Sequence, residues 1–276
     1  MTVGIMQGRL VPPVDGRIQC FPRERWRDEF ALAAAADLDA IEWIFDVFGL
    51  DVNPVATDEG LAELAALSAQ TGVGIRSICA DYFMDRPLLR AVDREIEDRV
   101  STLAWLLRRC ALLGAGRVVL PFVDASRIDS DSELGHVAAV LGRVLAVLDE
   151  TGVELHLETS LAPEPFADLL ARLPHPSVKV NYDSGNSASL GYGPRDEFKA
   201  YGARVGSVHV KDRVRGGGTV PLGSGDADFE ALFSCLDDVA YNGDFVLQVA
   251  RGVDGDEVRW ARDNRAFLAE LQAARV

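Results

Sequence analysis

The chain has 276 residues, 48% hydrophobic and 26% charged, enough for one large buried core and unlike a disordered or collagen-type polymer. Its formal charge of −15 argues against the basic face of a protein that grips nucleic-acid backbones, although a small positive pocket could still accept one phosphate group. No apolar run approaches the roughly 20 residues of a membrane span, and Cys20, Cys79, Cys110 and Cys235 are dispersed with no CxxC pair, so a cytoplasmic protein with reduced thiols and no membrane partner is expected.

In chain order, short Val- and Ile-rich runs alternate with longer segments of helical period. Strands are expected at Val3 to Met6, Ala40 to Ile44, Gly74 to Cys79 and Arg117 to Pro121. Four more are expected at Val153 to Glu158, Val178 to Asp183, Val205 to Lys211 and Phe245 to Val249. Most are apolar almost throughout, as a parallel strand covered on both faces must be. Between them, Val100, Leu103, Leu107 and Cys110 mark one amphipathic helix. Val137, Val140, Leu141, Val144, Leu145 and Leu148 mark the next as a single stripe. Phe229, Leu232, Phe233 and Leu236 mark the seventh, with Asp226 placed to cap it, and Trp260, Phe267, Leu268 and Leu271 close the chain. Eight strand–helix units make an α/β fold, a (βα)8 TIM barrel spanning 1–276 as one domain. An open doubly wound sheet would want a GxGxxG turn after the first strand, which is absent.

The loops that follow the strands build the active site of such a barrel. Gln7 and Arg9, just past the first strand, therefore face the mouth; Arg9 is either a substrate clamp or an anchor for the rim. Glu42, Trp43 and Asp81, at the ends of strands two and three, read as rim or supporting residues, and Trp43 as core packing before sugar platform. The glycine cluster Gly216-Gly217-Gly218 after strand seven reads as a mobile or ligand-approaching loop.

Strands five to eight end in polar groups, which a strand buried on both faces carries only where something balances them. Glu158, Asp183, His209 and Gln248 stand at those ends. Adjacent strands lie about 4.8 Å apart, so the four can converge on one cation. Two carboxylates, an imidazole and an amide carbonyl suit one divalent metal, Mn²⁺ first, with Mg²⁺, Co²⁺, Ni²⁺ or Zn²⁺ as alternatives. His156, on the same side of its strand as Glu158, reads as a satisfied interior residue, and His136 and His175 carry no role.

The stretches LHLETS, VNYDSGNS, SVHVKD and VPLGSGDADF, together with that quartet, resemble the xylose isomerase-like superfamily of sugar isomerases and epimerases over essentially the whole chain. The resemblance implies a divalent metal chelating neighbouring oxygens of a ketose or related polyol while side-chain bases move a proton through an enediolate. It carries Glu158, Asp183 and His209 onto metal ligands of the ketose 3-epimerase branch, and Glu164 and Arg215 onto substrate contacts. Asn186 stands where that branch usually has histidine, and Gln248 where it has a second glutamate.

That last difference has chemical weight, since an amide can ligate a metal but cannot act as a general base near neutral pH. Glu158 remains as the base, and Lys211, Asp212, Glu164 or water as the second proton carrier. Lys211 is the catalytic candidate and Asp212 a substrate contact. The run Lys211-Asp212-Arg213 with Arg215 could bind a phosphate, or a substrate hydroxyl or carboxylate. The expected activity is isomerisation or epimerisation of a sugar or sugar phosphate. The alternative is a lyase or dehydratase acting on a keto-sugar, inosose or glycoside. A small sugar-like molecule is the expected partner, with homo-oligomerisation open. The DNA-repair endonucleases of the same fold use more histidines than the four present here.

Overall fold

The computed structural model describes residues 1–253 and 255–273. Eight parallel strands form a closed barrel: β1 (Val3–Met6), β2 (Ala40–Ile44), β3 (Gly74–Cys79), β4 (Arg117–Phe122), β5 (Glu154–Thr159), β6 (Val178–Asp183), β7 (Val205–Val210) and β10 (Asp244–Leu247). Each pairs with its sequence neighbour, and β10 closes the ring onto β1. Beyond β7 the chain adds a small antiparallel pair, β8 (Asp212–Arg213) with β9 (Thr219–Val220).

The outer layer holds α1 (Asp28–Ala35), α2 (Asp58–Thr71), α4 (Asp93–Leu113), α5 (Asp131–Gly142), α6 (Leu145–Thr151) and α7 (Pro163–Arg172). It continues through α9 (Pro194–Tyr201), α10 (Phe229–Asp238) and α11 (Glu257–Ala273); two short helices, α3 (Tyr82–Asp85) and α8 (Ser184–Leu190), sit beyond β3 and β6. Among the described residues, no helix is long and apolar enough to cross a membrane.

The strands form where the apolar runs predict, because β-branched residues such as Val118, Val119, Val178 and Val208 are buried between the barrel interior and the helices. Val137, Val140, Leu141, Val144 and Leu148 are buried as expected and Leu145 is half-buried, yet the stripe belongs to two helices broken at Arg143–Val144. Gly142 weakens the helix just before the break. Cap assignment also differs: Asp228, rather than Asp226, accepts the Ala231 N–H at 2.8 Å and starts α10, while Asp226 takes the backbone N–H of Arg215. Trp43 is core, ringed by Phe21, Trp26 and Phe30, with its indole N–H on Asn53.

Candidate metal centre and active site

At the C-terminal ends of the strands lies a cavity of about 600 Å³, lined among others by Arg9, Glu158, Asn186, Lys211, Arg213 and Gln248. The register pairs Asp183 with His209 across β6 and β7 and so places their side chains at one level. Glu158, Asp183 and His209, all buried, each offer a ligand atom within 4.8 Å of the others. Gln248 joins them through a cation: its Oε1 accepts from Lys211 Nζ at 3.0 Å, and that ammonium lies 3.4 Å from Asp183 Oδ2.

Each of the three is held for a local reason. Asp183 is the N-cap of α8, with Oδ1 accepting the Asn186 N–H at 2.8 Å, which leaves Oδ2 toward the cavity. Burial raises its pKa while Lys211 opposes the rise. Glu158 receives Asn181 Nδ2 on Oε2 at 2.9 Å and Asn186 Nδ2 on Oε1 at 2.7 Å. Burial works against its charge, but His209 and Lys211 prevail and hold it below the usual carboxylate range. His209 is fully buried, and its Nε2 sits 2.5 Å from Glu42 Oε2. Burial would lower its pKa, but Glu42 and Glu158 raise it to about 10.

The remaining nitrogen of His209 bears on a metal. Nδ1 stands 3.1 Å from Glu158 Oε2, yet it is buried without a hydrogen-bond partner. With Nε2–H committed to Glu42, Nδ1 is the nitrogen that, once its proton is displaced, offers a lone pair beside two carboxylates, the arrangement in which a protein histidine ligates a cation. Glu42 is itself held: Ser77 donates to its Oε1 at 2.6 Å, Arg117 reaches Ser77 at 3.4 Å, and Asp244 pairs with Arg117 at 2.7 Å. The donor set fits a divalent metal.

Several expected contacts fall elsewhere. Glu164 is exposed on the first turn of α7, outside the cavity lining, where a carboxylate suits a helix N-terminus. Asp212 is fully buried and accepts the backbone N–H groups of Gly225 and Ala227, so it ties a loop. Arg215 is exposed, turned away from the cavity by the β8–β9 hairpin; Arg213 lines the cavity in its stead. Gln7 is built into the sheet, its side chain accepting from Ile44 N at 2.9 Å, and does not line the cavity. Arg9 lines it as a rim anchor, donating to the carbonyls of Val249 and Ile18 and to Gln19. The glycine cluster is pinned, with Gly216 N on Ser189 O and Gly217 O accepting from Arg213.

The structure adds residues that sequence reasoning missed. Asn181, two before Asp183 on the same side of β6, follows from strand alternation. Gln19 carried no such signal: it bridges Asp81, Arg9 and Gln248 from a distant loop. Gly185 is required by packing, since a Cβ there would lie 2.6 Å from Lys211 Cγ.

The sequence model of the family described as "Xylose isomerase-like TIM barrel" matches residues 30–271. A protein of Escherichia coli K12 named "Putative L-ribulose-5-phosphate 3-epimerase SgbU" is 24% identical over 249 residues, covering 81% of this chain and 83% of that one. An inosose dehydratase of Clostridium perfringens is 28% identical over 156 residues, 48% of this chain and 52% of that one. Among solved structures, the IolI protein with a bound zinc atom superposes with a TM-score of 0.75 at 15% identity, over 99% of this chain and 97% of that chain.

Proposed function

Since this chain belongs to the xylose isomerase-like TIM barrel family, we propose that it is a divalent-metal-dependent isomerase or epimerase of a sugar or sugar phosphate. The observation that carries the reading is the Nδ1 of His209, buried without a hydrogen bond beside Asp183 and beside Glu158, which lines the cavity. The epimerase relative and the zinc-bound neighbour support it. The metal would be held by Glu158, Asp183 and His209, with the Gln248 carbonyl oxygen as the fourth ligand. Bound there, a divalent cation polarises neighbouring substrate oxygens and acidifies the C–H between them.

The chain's own residues handle the proton. Glu158 is ionised, because His209 and Lys211 outweigh its burial, and so it is ready to accept a proton. Asn181 and Asn186 fix its two oxygens, which keeps the base oriented without supplying charge. Lys211 is the second proton carrier, since its ammonium lies in the cavity between Asp183 and Gln248.

A lyase or dehydratase reading is favoured by one detail. Gln248 cannot be a base, and it hydrogen-bonds an ammonium placed to protonate a departing oxygen. The inosose dehydratase relative points the same way.

Incubation with a ketose panel in D2O distinguishes the two. Isomerisation gives deuterium at the carbon next to the carbonyl with no loss of water, and the exchange ceases on chelation. Elimination gives a new C=C bond or a freed aglycone. Exchange unaffected by chelator, or no turnover of either kind across the panel, refutes the metal-dependent reading.

A further inference from the structure

We propose that the substrate carries an anionic group, a phosphate or a carboxylate, and that Arg213 seats it. This rests on the proton-transfer reading of the same mouth and narrows the class of sugar it takes.

The inference starts from an uncompensated charge. Arg213 Nη1 donates to Asn186 Oδ1 at 2.9 Å, and Nε and Nη2 donate to Gly217 O at 3.1 and 2.7 Å. These acceptors are neutral, and a guanidinium has five N–H groups, so donors remain for a ligand. Among the described residues, no carboxylate comes within ion-pair range of it. Of the other cations lining the same cavity, Lys211 lies 3.4 Å from Asp183 and Arg127 lies 2.7 Å from Asp129, while Arg9 is spent on the Val249 and Ile18 carbonyls and Gln19, and Arg17 lies over the Phe48 ring. A guanidinium beside the base with no carboxylate on it is notable in a chain whose acidic residues outnumber Lys and Arg by 43 to 28. A partly free guanidinium fork in a cleft matches the paired oxygens of phosphate or carboxylate.

Its position fits a small substrate. Asn186 accepts from Arg213 with its oxygen and donates to Glu158 with its nitrogen at 2.7 Å, so a single amide separates the anion seat from the base. An anion on Arg213 therefore lies within a short carbon chain of the atom where Glu158 works. Shaping the hairpin does not by itself require Arg213, because Gly216 N on Ser189 O and Gly217 N on Val214 O close the turn. The glycines brace the guanidinium through the Gly217 carbonyl, which accounts for a glycine cluster whose tip does not line the cavity.

The test has a binding arm and a turnover arm. Calorimetric titration of metal-free protein with inorganic phosphate should give binding that Arg213→Gln weakens about ten- to a hundredfold and Arg213→Lys weakens less. Equal phosphate binding by the parent and both variants overturns the assignment, and the Lys variant alone decides if the Gln variant fails to fold. In the turnover arm, Mn²⁺-loaded protein receives a ketopentose, its 5-phosphate and a keto-uronate. A preference for either anion that collapses in Arg213→Gln supports the proposal, and the preferred member tells phosphate from carboxylate. Equal turnover of the neutral sugar and both anions overturns it. If no sugar exchanges a C–H bond while phosphate binding still depends on Arg213, the anion seat stands and the proton-transfer reading falls.

Discussion

Two buried histidines occupy the same barrel in opposite states. His156, on β5, spends both ring nitrogens on protein: Nδ1 lies 2.7 Å from Ser207 Oγ and Nε2 2.8 Å from Glu154 Oε2. Burial carries its pKa down to about 4 although Glu154 pulls the other way, and Lys179 completes the cluster by pairing with Glu154 at 2.6 Å. His209, on β7, spends one nitrogen on Glu42 and leaves the other without a hydrogen bond, 3.1 Å from Glu158 Oε2, facing carboxylates that keep it charged up to about pH 10. Polarity inside a barrel does not by itself mark a site. A closed network is architecture, and an open one with a ring nitrogen to spare is a seat for a cation that displaces its proton.

Substitutions on the two sides should separate these roles, the largest effect coming at the base. Glu158→Gln keeps the shape and removes the proton acceptor, so C–H exchange with solvent should fall by about 10²- to 10⁴-fold. Exchange at the parental rate would exclude Glu158 from the chemistry.

Glu42→Gln should weaken Mn²⁺ binding by about 10- to 100-fold in calorimetry, because the ligand behind the ligand no longer fixes the tautomer of His209. His156→Leu should leave Mn²⁺ affinity near the parental value while destabilising the fold, as Ser207 and Glu154 lose a buried partner worth about 1–3 kcal/mol. Equal losses of metal in both variants would erase the distinction between the two histidines.

Acidity offers a test without mutation. Metal-free His209 holds its proton below about pH 10, so binding must displace that proton. Apparent Mn²⁺ affinity should then rise by about tenfold per unit between pH 6 and 8. His156 acts on stability instead. Its folded pKa, lowered from 6.5 to about 4, means the unfolded chain binds more protons between those values. Its contribution is full above about pH 6.5 and is lost as pH falls toward 4, which denaturant melts across that window would detect.

The smallest effect is expected at Glu164, exposed on α7: Glu164→Ala should change kcat/KM by less than about threefold. A larger loss would bring that helix turn into the mouth.

Much of this was legible in the residues. The bounds of β1, β2, β3 and β6 coincide with the apolar runs, and the others differ by a residue or two at their ends. A strand covered on both faces leaves little choice of composition. Polar residues closing four consecutive runs pointed to the cavity for the same reason, and alternation within VNYDSGNS would also have identified Asn181. The glutamine at 248 was visible as an amide that cannot act as a base.

What the chain order could not carry was the reach of side chains outside the regular elements. Glu164, Asp212, Arg213 and Arg215 are equally plausible mouth residues in the sequence, but the β8–β9 hairpin and its docking on Ser189 turn one arginine in and the other out. The free nitrogen of His209 depends on Glu42, 167 positions away, meeting it across the barrel. Local composition determines which segments become strands because burial acts on each segment alone. Which atom is left without a partner is a property of the closed barrel, because it is set by contacts between residues that the chain keeps far apart.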